Sequence, residues 1–205
     1  MLVKLYNQNP NPRVIRQVVD CLDSGGLVVV PTDTVYGVAC SLNHVEAIDS
    51  LAKIRNKKIK EANFSVVCSD LSQISEFTKP LSNDVFKLLK RNLPGPFTFI
   101  LEANNKLTKL LKYPRKSVGI RIPDNSIIIE IIKSLDTPLV ITSVKDPDDE
   151  ILEYVTNPEL IWEKYRNVVD IVIDAGTGGM VGSTIVDCTG DQPMIVRQGS
   201  GELDW

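Results

Sequence analysis

The 205-residue sequence predicts an α/β protein with a twisted, mixed β-sheet and flanking helices. Short β-branched runs alternate with stretches of helical period along most of the chain, the pattern of a layered α/β domain. The last three strand candidates follow one another with no helical stretch between them, so some neighbours must pair antiparallel. No fixed-period repeat, low-complexity tract or long Gly/Ser linker interrupts this order, and residues 1–205 read as one domain.

The elements are justified in order along the chain. Asn11-Pro12 supplies a cap and a first-turn proline, Ile15, Val18, Val19 and Leu22 recur at helical spacing, and Gly25-Gly26 stops that helix. Leu27 to Val30 is a β-branched run suited to a strand buried on both faces. Asn43 is placed to cap a helix carrying Val45, Ile48, Leu51 and Ile54. Phe64 to Cys68 reads as a strand and Leu71, Ile74 and Phe77 as a helix. Ser82 caps a further helix that must end before Pro94. Thr98 to Leu101 and Ser117 to Ile122 are strands around a short helix near Leu107, Leu110 and Leu111. Ile127 to Leu135 reads as helix, Leu139 to Thr142 as strand and Leu160 to Tyr165 as helix. Val168 to Ile173, Ser183 to Val186 and Met194 to Arg197 complete the strands.

Composition narrows the function classes. With 43% hydrophobic and 24% charged residues the chain is globular rather than disordered. Met1 to Asn7 carries no apolar stretch of signal-peptide type, and no run is long enough to span a bilayer, so a cytoplasmic protein without membrane contact is expected. Cys21, Cys40, Cys68 and Cys188 form no C-x-x-C pair and His44 is the only histidine, so no resident metal site is expected. The net charge of −3 hides an uneven distribution. Lys53, Arg55, Lys57, Lys58 and Lys60 fall together, and a second basic stretch runs from Lys87 to Arg121. Such clusters can focus an anionic ligand, and they are equally the solvated faces of helices.

Several segments carry chemistry. Pro31-Thr32-Asp33-Thr34-Val35-Tyr36-Gly37 follows a buried strand, where α/β sheets collect ligands. Its hydroxyls, carboxylate and phenol could orient a small polar substrate, or form a polar turn closed by Gly37. Arg55 and Lys57 close a helix, where cations favour the dipole and could equally hold phosphates. Pro94-Gly95-Pro96-Phe97-Thr98 is a rigid turn delivering Thr98 to a strand. Gly119-Ile120-Arg121-Ile122-Pro123 sets an arginine in an apolar strand, where it needs either an anionic ligand or an internal ion pair. Gly176-Thr177-Gly178-Gly179 precedes a strand rather than a helix, so it lacks the context of a phosphate loop.

In this order the segments resemble the YrdC/YciO family, whose best-known members are threonylcarbamoyl-AMP synthases. The series PTDTVYG, a basic pair, PGPFT, GIRIP, a serine after an apolar strand, STIVD and a terminal arginine strand spans nearly the whole chain. Asn63-Phe64-Ser65, Thr142-Ser143 and the acidic Asp148-Asp149-Glu150 are most similar to the YciO branch. The resemblance implies an open twisted sheet with a basic concave cavity. It also implies a nucleotidyltransferase that turns ATP, L-threonine and bicarbonate into threonylcarbamoyl-AMP and pyrophosphate for tRNA modification, with Mg²⁺ accompanying the nucleotide. By matching motif, Thr34, Tyr36 and Arg121 would bind the threonine substrate. Arg55, Lys57, Thr98, Ser143, Ser183 and Arg197 would bind the nucleotide. No particular side chain is assigned as catalytic, because a carbamate oxygen can attack the α-phosphate without a general base.

Two positions depart from the synthase pattern. Ser-Ala-Asn becomes Ser143-Val144-Lys145, and the basic pair is inverted, arginine first, with a residue inserted before Asn63. Arginine and lysine differ around phosphates. A YciO-type paralogue acting on a related adenylate or nucleotide is therefore an alternative, and a double-stranded RNA or tRNA-binding module without synthase activity is another.

Overall fold

In a computed structural model, residues 1–62, 64–144 and 154–205 are described. Lys145 and the acidic stretch through Asp148-Asp149-Glu150 lie outside the described residues, as does Asn63. The elements are β1 (Leu2–Lys4), α1 (Pro12–Asp23), β2 (Val28–Val30), β3 (Gly37–Ser41), α2 (Val45–Ile54), β4 (Ser65–Val67), α3 (Leu71–Ser75), α4 (Asn83–Asn92) and β5 (Phe97–Glu102). They continue with α5 (Asn105–Leu111), β6 (Ser117–Arg121), α6 (Ser126–Leu135), β7 (Leu139–Ser143), α7 (Pro158–Tyr165), β8 (Ile171–Asp174), β9 (Thr184–Asp187) and β10 (Met194–Arg197). The strands form one sheet in the order β1-β8-β2-β3-β7-β4-β6-β5-β9-β10. Parallel pairs such as β4 with β6 stand among antiparallel ones such as β3 with β7, so the sheet is mixed as expected.

Local signals set most boundaries. Asn11, Ser82, Asn104, Asn125 and Asn157 each accept a hydrogen bond from a backbone N–H in the first turn of the helix that follows. The cap expected at Asn43 does not form. His44 is the residue before α2 and makes no side-chain cap, while the Asn43 amide donates to Thr137 Oγ1 at 3.1 Å. Two strands exceed the sequence expectation, β1 and β3. All five residues of β3 are buried between β2 and β7, and Gly37-Val38-Ala39-Cys40-Ser41 has neither polar alternation nor a β-branched run to announce it.

Side-chain alternation along the strands divides the core in two. Val29, Val38, Val66, Val118, Ile120, Val140 and Val172 point to one face, packed by α2, α3, α4, α5 and α7. Val28, Val30, Ala39, Val67, Leu139, Ile141 and Ile171 point to the other, packed among the described residues by α1 and α6. Two helices cannot cover ten strands. Among the described residues, no helix packs on the half of this face running toward β10. Among the described residues, no helix is long and apolar enough to cross a membrane.

Candidate functional site

Strand parity places the candidate residues on that face. Val66, Phe97, Phe99, Val118, Ile120, Val140 and Val186 belong to the helix-rich core, so Ser65, Thr98, Gly119, Arg121, Ile141 and Ile185 must point the other way. With Tyr36, Gly37, Ser143, Ser183 and Arg197, all of them but Gly119 line a cavity of about 130 Å³. Gly119 keeps its middle open, since a Cβ there would stand 3.1 Å from the Thr98 methyl and 3.2 Å from Ser65 Oγ. Glycine inside an otherwise apolar strand marks such a close approach.

Arg121 Nη2 donates to Asp33 Oδ1 and to Thr34 Oγ1, both at 2.9 Å. Asp33 Oδ2 in turn accepts the Asp124 N–H at 3.1 Å, tying the 31–36 loop to the turn after β6. Both readings of Arg121 left open by the sequence therefore meet in one residue. It has an internal ion pair, it lines the cavity, and its buried Nε has no partner among the described residues. Burial holds its guanidinium below the usual arginine value, Asp33 acting in the opposite direction. Thr32 Oγ1 accepts the Thr34 N–H at 3.1 Å and donates to the Val35 carbonyl at 2.7 Å, which fixes the loop.

One step along the β5–β6 register from Phe99 and Ile120, Thr98 stands beside Arg121; its Oγ1 lies 2.8 Å from Ser183 Oγ, and Arg197 Nη2 donates to the Ser183 carbonyl at 2.6 Å. Ser143 stands opposite Gly37 in the register of β3 and β7. The structure thus brings together Tyr36, Thr98, Arg121, Ser143, Ser183 and Arg197, with Thr34 just behind Arg121. Arg55 and Lys57 are not among the described residues that line the cavity. Lys57 is exposed, and Arg55, after the last turn of α2, is half-buried with its Nη1 lacking an acceptor among the described residues.

Tyr36 has a second duty. Its hydroxyl donates to the Gly176 carbonyl at 2.8 Å and accepts the Ala175 N–H at 3.0 Å. The glycine run that looked like a weak phosphate loop is packed against this same segment. A Cβ on Gly178 would strike the Tyr36 ring, and one on Gly179 would collide with the Thr34 carbonyl. Sequence reasoning assigned no role at this site to Ser65, Gly119, Gly178 or Gly179. Parity with Val66 could have found the first and the strand glycine the second.

The arrangement is suited to holding anions rather than to nucleophilic attack by a side chain. Burial raises every thiol, Cys21 to about 11 and Cys188 to about 12, with Cys40 and Cys68 pushed further, so none is a ready thiolate.

Comparison with known proteins agrees with this architecture. An uncharacterized protein of Haemophilus influenzae is 37% identical over 199 residues, 96% of this chain and 94% of that protein. The YciO protein of Escherichia coli K12 is 34% identical over 200 residues, 97% and 95% of the two chains. A threonylcarbamoyl-AMP synthase of Bos taurus is 31% identical over 181 residues, covering 84% of this chain and 63% of the synthase. The crystal structure of E. coli YciO superposes with a TM-score of 0.89 at 33% identity, covering 98% of this chain and 97% of that one. P. abyssi Sua5 complexed with L-threonine shares the fold at a TM-score of 0.87 and 21% identity, covering 97% of this chain and 57% of that one. The Sua5/YciO/YrdC family model, described as telomere recombination, matches residues 20–199, and the chain belongs to that family.

Proposed function

We propose that the chain condenses ATP, L-threonine and bicarbonate to threonylcarbamoyl-AMP, releasing pyrophosphate and water, as a step in tRNA modification. The observation that carries this reading is the cleft in which Arg121, paired with Thr34, stands beside Thr98, Ser183 and Arg197. Two anionic or polar ligands can then meet there, an amino-acid carboxylate at Arg121 and phosphates at Arg197. The family relationship to threonylcarbamoyl-AMP synthases supports the choice of substrates.

In this reaction the threonine amine and bicarbonate form a carbamate with loss of water. The carbamate oxygen attacks the α-phosphorus, and the bond from that phosphorus to the bridging oxygen breaks as pyrophosphate leaves. The protein's work is positioning and charge neutralisation. Arg121 and Thr34 hold threonine, Thr98, Ser143 and Ser183 orient the nucleotide, and Arg197, Arg55 and Lys57 balance the phosphates. Mg²⁺ enters on the ATP as part of the substrate, because Asp33, the carboxylate beside the cleft, is committed to Arg121 and the Asp124 N–H.

A second reading, a YciO-type paralogue acting on a related adenylate or nucleotide, is favoured by two observations. The YciO relatives match over nearly the full length, and Arg121 Nη2 is already paired with Asp33 and Thr34. One experiment separates the two. Titration calorimetry with ATP–Mg²⁺ and L-threonine is followed by a pyrophosphate assay with bicarbonate present. Threonine-dependent pyrophosphate is the expected result, whereas nucleotide binding without threonine dependence overturns the synthase reading in favour of the paralogue.

A further inference from the structure

A cavity of about 130 Å³ takes an amino acid or a phosphate but not a whole nucleotide, so a polyphosphate must run out of it. Tyr154 stands close to Arg197, one of the lining residues. A Cβ placed on Gly182, beside Ser183, would be 3.0 Å from Tyr154 Oη and 3.2 Å from Arg197 Nη2, so phenol and guanidinium share the space that this glycine leaves free. The phenol is also near enough to Arg55 and Arg121 to perturb both guanidinium groups. Arg55 Nη1 is buried and, among the described residues, has no acceptor. A buried donor without an acceptor is costly, and an anion is the natural group to supply one. Neither Arg55 nor Tyr154 is among the described residues that line the small cavity, whereas Arg197, which shares the space beside Gly182 with Tyr154, does line it.

We propose that Tyr154 is a ligand-binding and specificity-determining residue, its hydroxyl contacting the phosphate chain between Arg197 and Arg55. It makes the site selective for an extended polyphosphate over a single phosphate. Tyr154 is absent from the residues transferred by family resemblance, and the inference rests on the synthase reading only for naming ATP as the polyphosphate.

The test is calorimetric binding of inorganic tripolyphosphate, inorganic phosphate and L-threonine to the wild-type chain and to Tyr154→Phe. Loss of one charge-assisted hydrogen bond is expected to narrow the preference for tripolyphosphate over phosphate by about fivefold, leaving threonine affinity within about twofold. Tyr154→Gln restores an N–H donor and is expected to recover part of the preference. An unchanged preference in Tyr154→Phe overturns the proposal, as does equal weakening of threonine and tripolyphosphate, the outcome of a purely structural role. Failure of the wild type to bind tripolyphosphate overturns it too. Tripolyphosphate binding without threonine-dependent pyrophosphate release leaves the Tyr154 inference standing and removes the synthase reading alone.

Discussion

Arg121 and Asp33 expose 8% and 9% of their side chains and meet at 2.9 Å, so neither charge is shared with bulk water. Such a pair contributes little net stability against an apolar alternative, but removing one partner strands the other. Asp33→Ala leaves a buried guanidinium facing only Thr34 Oγ1 and frees the Asp124 N–H. A loss of roughly 3 kcal/mol is expected, read from urea unfolding, with threonine binding weakened because Arg121 loses its anchor. A change below about 0.5 kcal/mol would mean that water or the cleft itself already compensates Arg121. The sequence exposed both partners, an aspartate in a polar loop and an arginine in an apolar strand. It could not pair them, because they are far apart in the chain and β7 and β4 stand between β3 and β6 in the sheet, so only the path of the 31–36 loop brings Asp33 to Arg121.

At the scale of elements, what the sequence made legible had a local cause. Caps at Asn11 and Ser82, breakers at Gly25 and Pro94 and the β-branched run at Leu27 to Val30 act within a few residues, and the structure keeps them. β3 was illegible because small buried residues carry no period, and β1 because three residues give too short a pattern. The glycine run at 176–179, which lacks the context of a phosphate loop, has a cause that the sequence did not show. Its constraint is not a ligand but the backbone of the 31–36 loop, against which Gly179 lies with no room for a methyl group. Gly190 makes the contrast, since a Cβ there would meet nothing within 4 Å. Gly179→Ala is expected to cost about 1–3 kcal/mol by pushing the loop that holds Thr34, and Gly190→Ala to stay within about 0.5 kcal/mol. Thermal unfolding of both variants checks this. Equal melting temperatures would show that the loop yields freely, so that it could not hold Thr34 and Arg121 in fixed relation.

For the molecule as a whole, the cleft lies where, among the described residues, five helices pack on one face of the sheet and two on the other, and the half without a helix ends in β9 and β10. An edge that carries two site residues needs restraint from outside the sheet. The segment after β10 provides it by folding back. Gly199 and Gly201 donate backbone N–H groups to Thr184 Oγ1 at 3.0 and 3.1 Å, and Thr184 Oγ1 donates to the Gly201 carbonyl at 2.6 Å. Gly199 passes against the backbone of Gly182 and Ser183 so closely that a Cβ would not fit. The segment is then fastened to the far side of the chain. The Asn92 amide, 6% exposed at the end of α4, donates to the Asp204 carbonyl at 2.8 Å and accepts the Asp204 N–H at 2.9 Å. Its Nδ2 also donates to the Leu88 carbonyl at 2.8 Å. Asn92→Ala deletes all three bonds and leaves the Asp204 backbone groups without them, for an expected loss of about 1–3 kcal/mol. Because the strap also positions Ser183 and Arg197, tripolyphosphate binding should weaken in this variant while threonine, held by Arg121 on β6 and Thr34 in the 31–36 loop, binds as before. Calorimetry with both ligands decides the matter. Weakened threonine with intact tripolyphosphate would place the strap's influence on the wrong ligand and refute the link between the two.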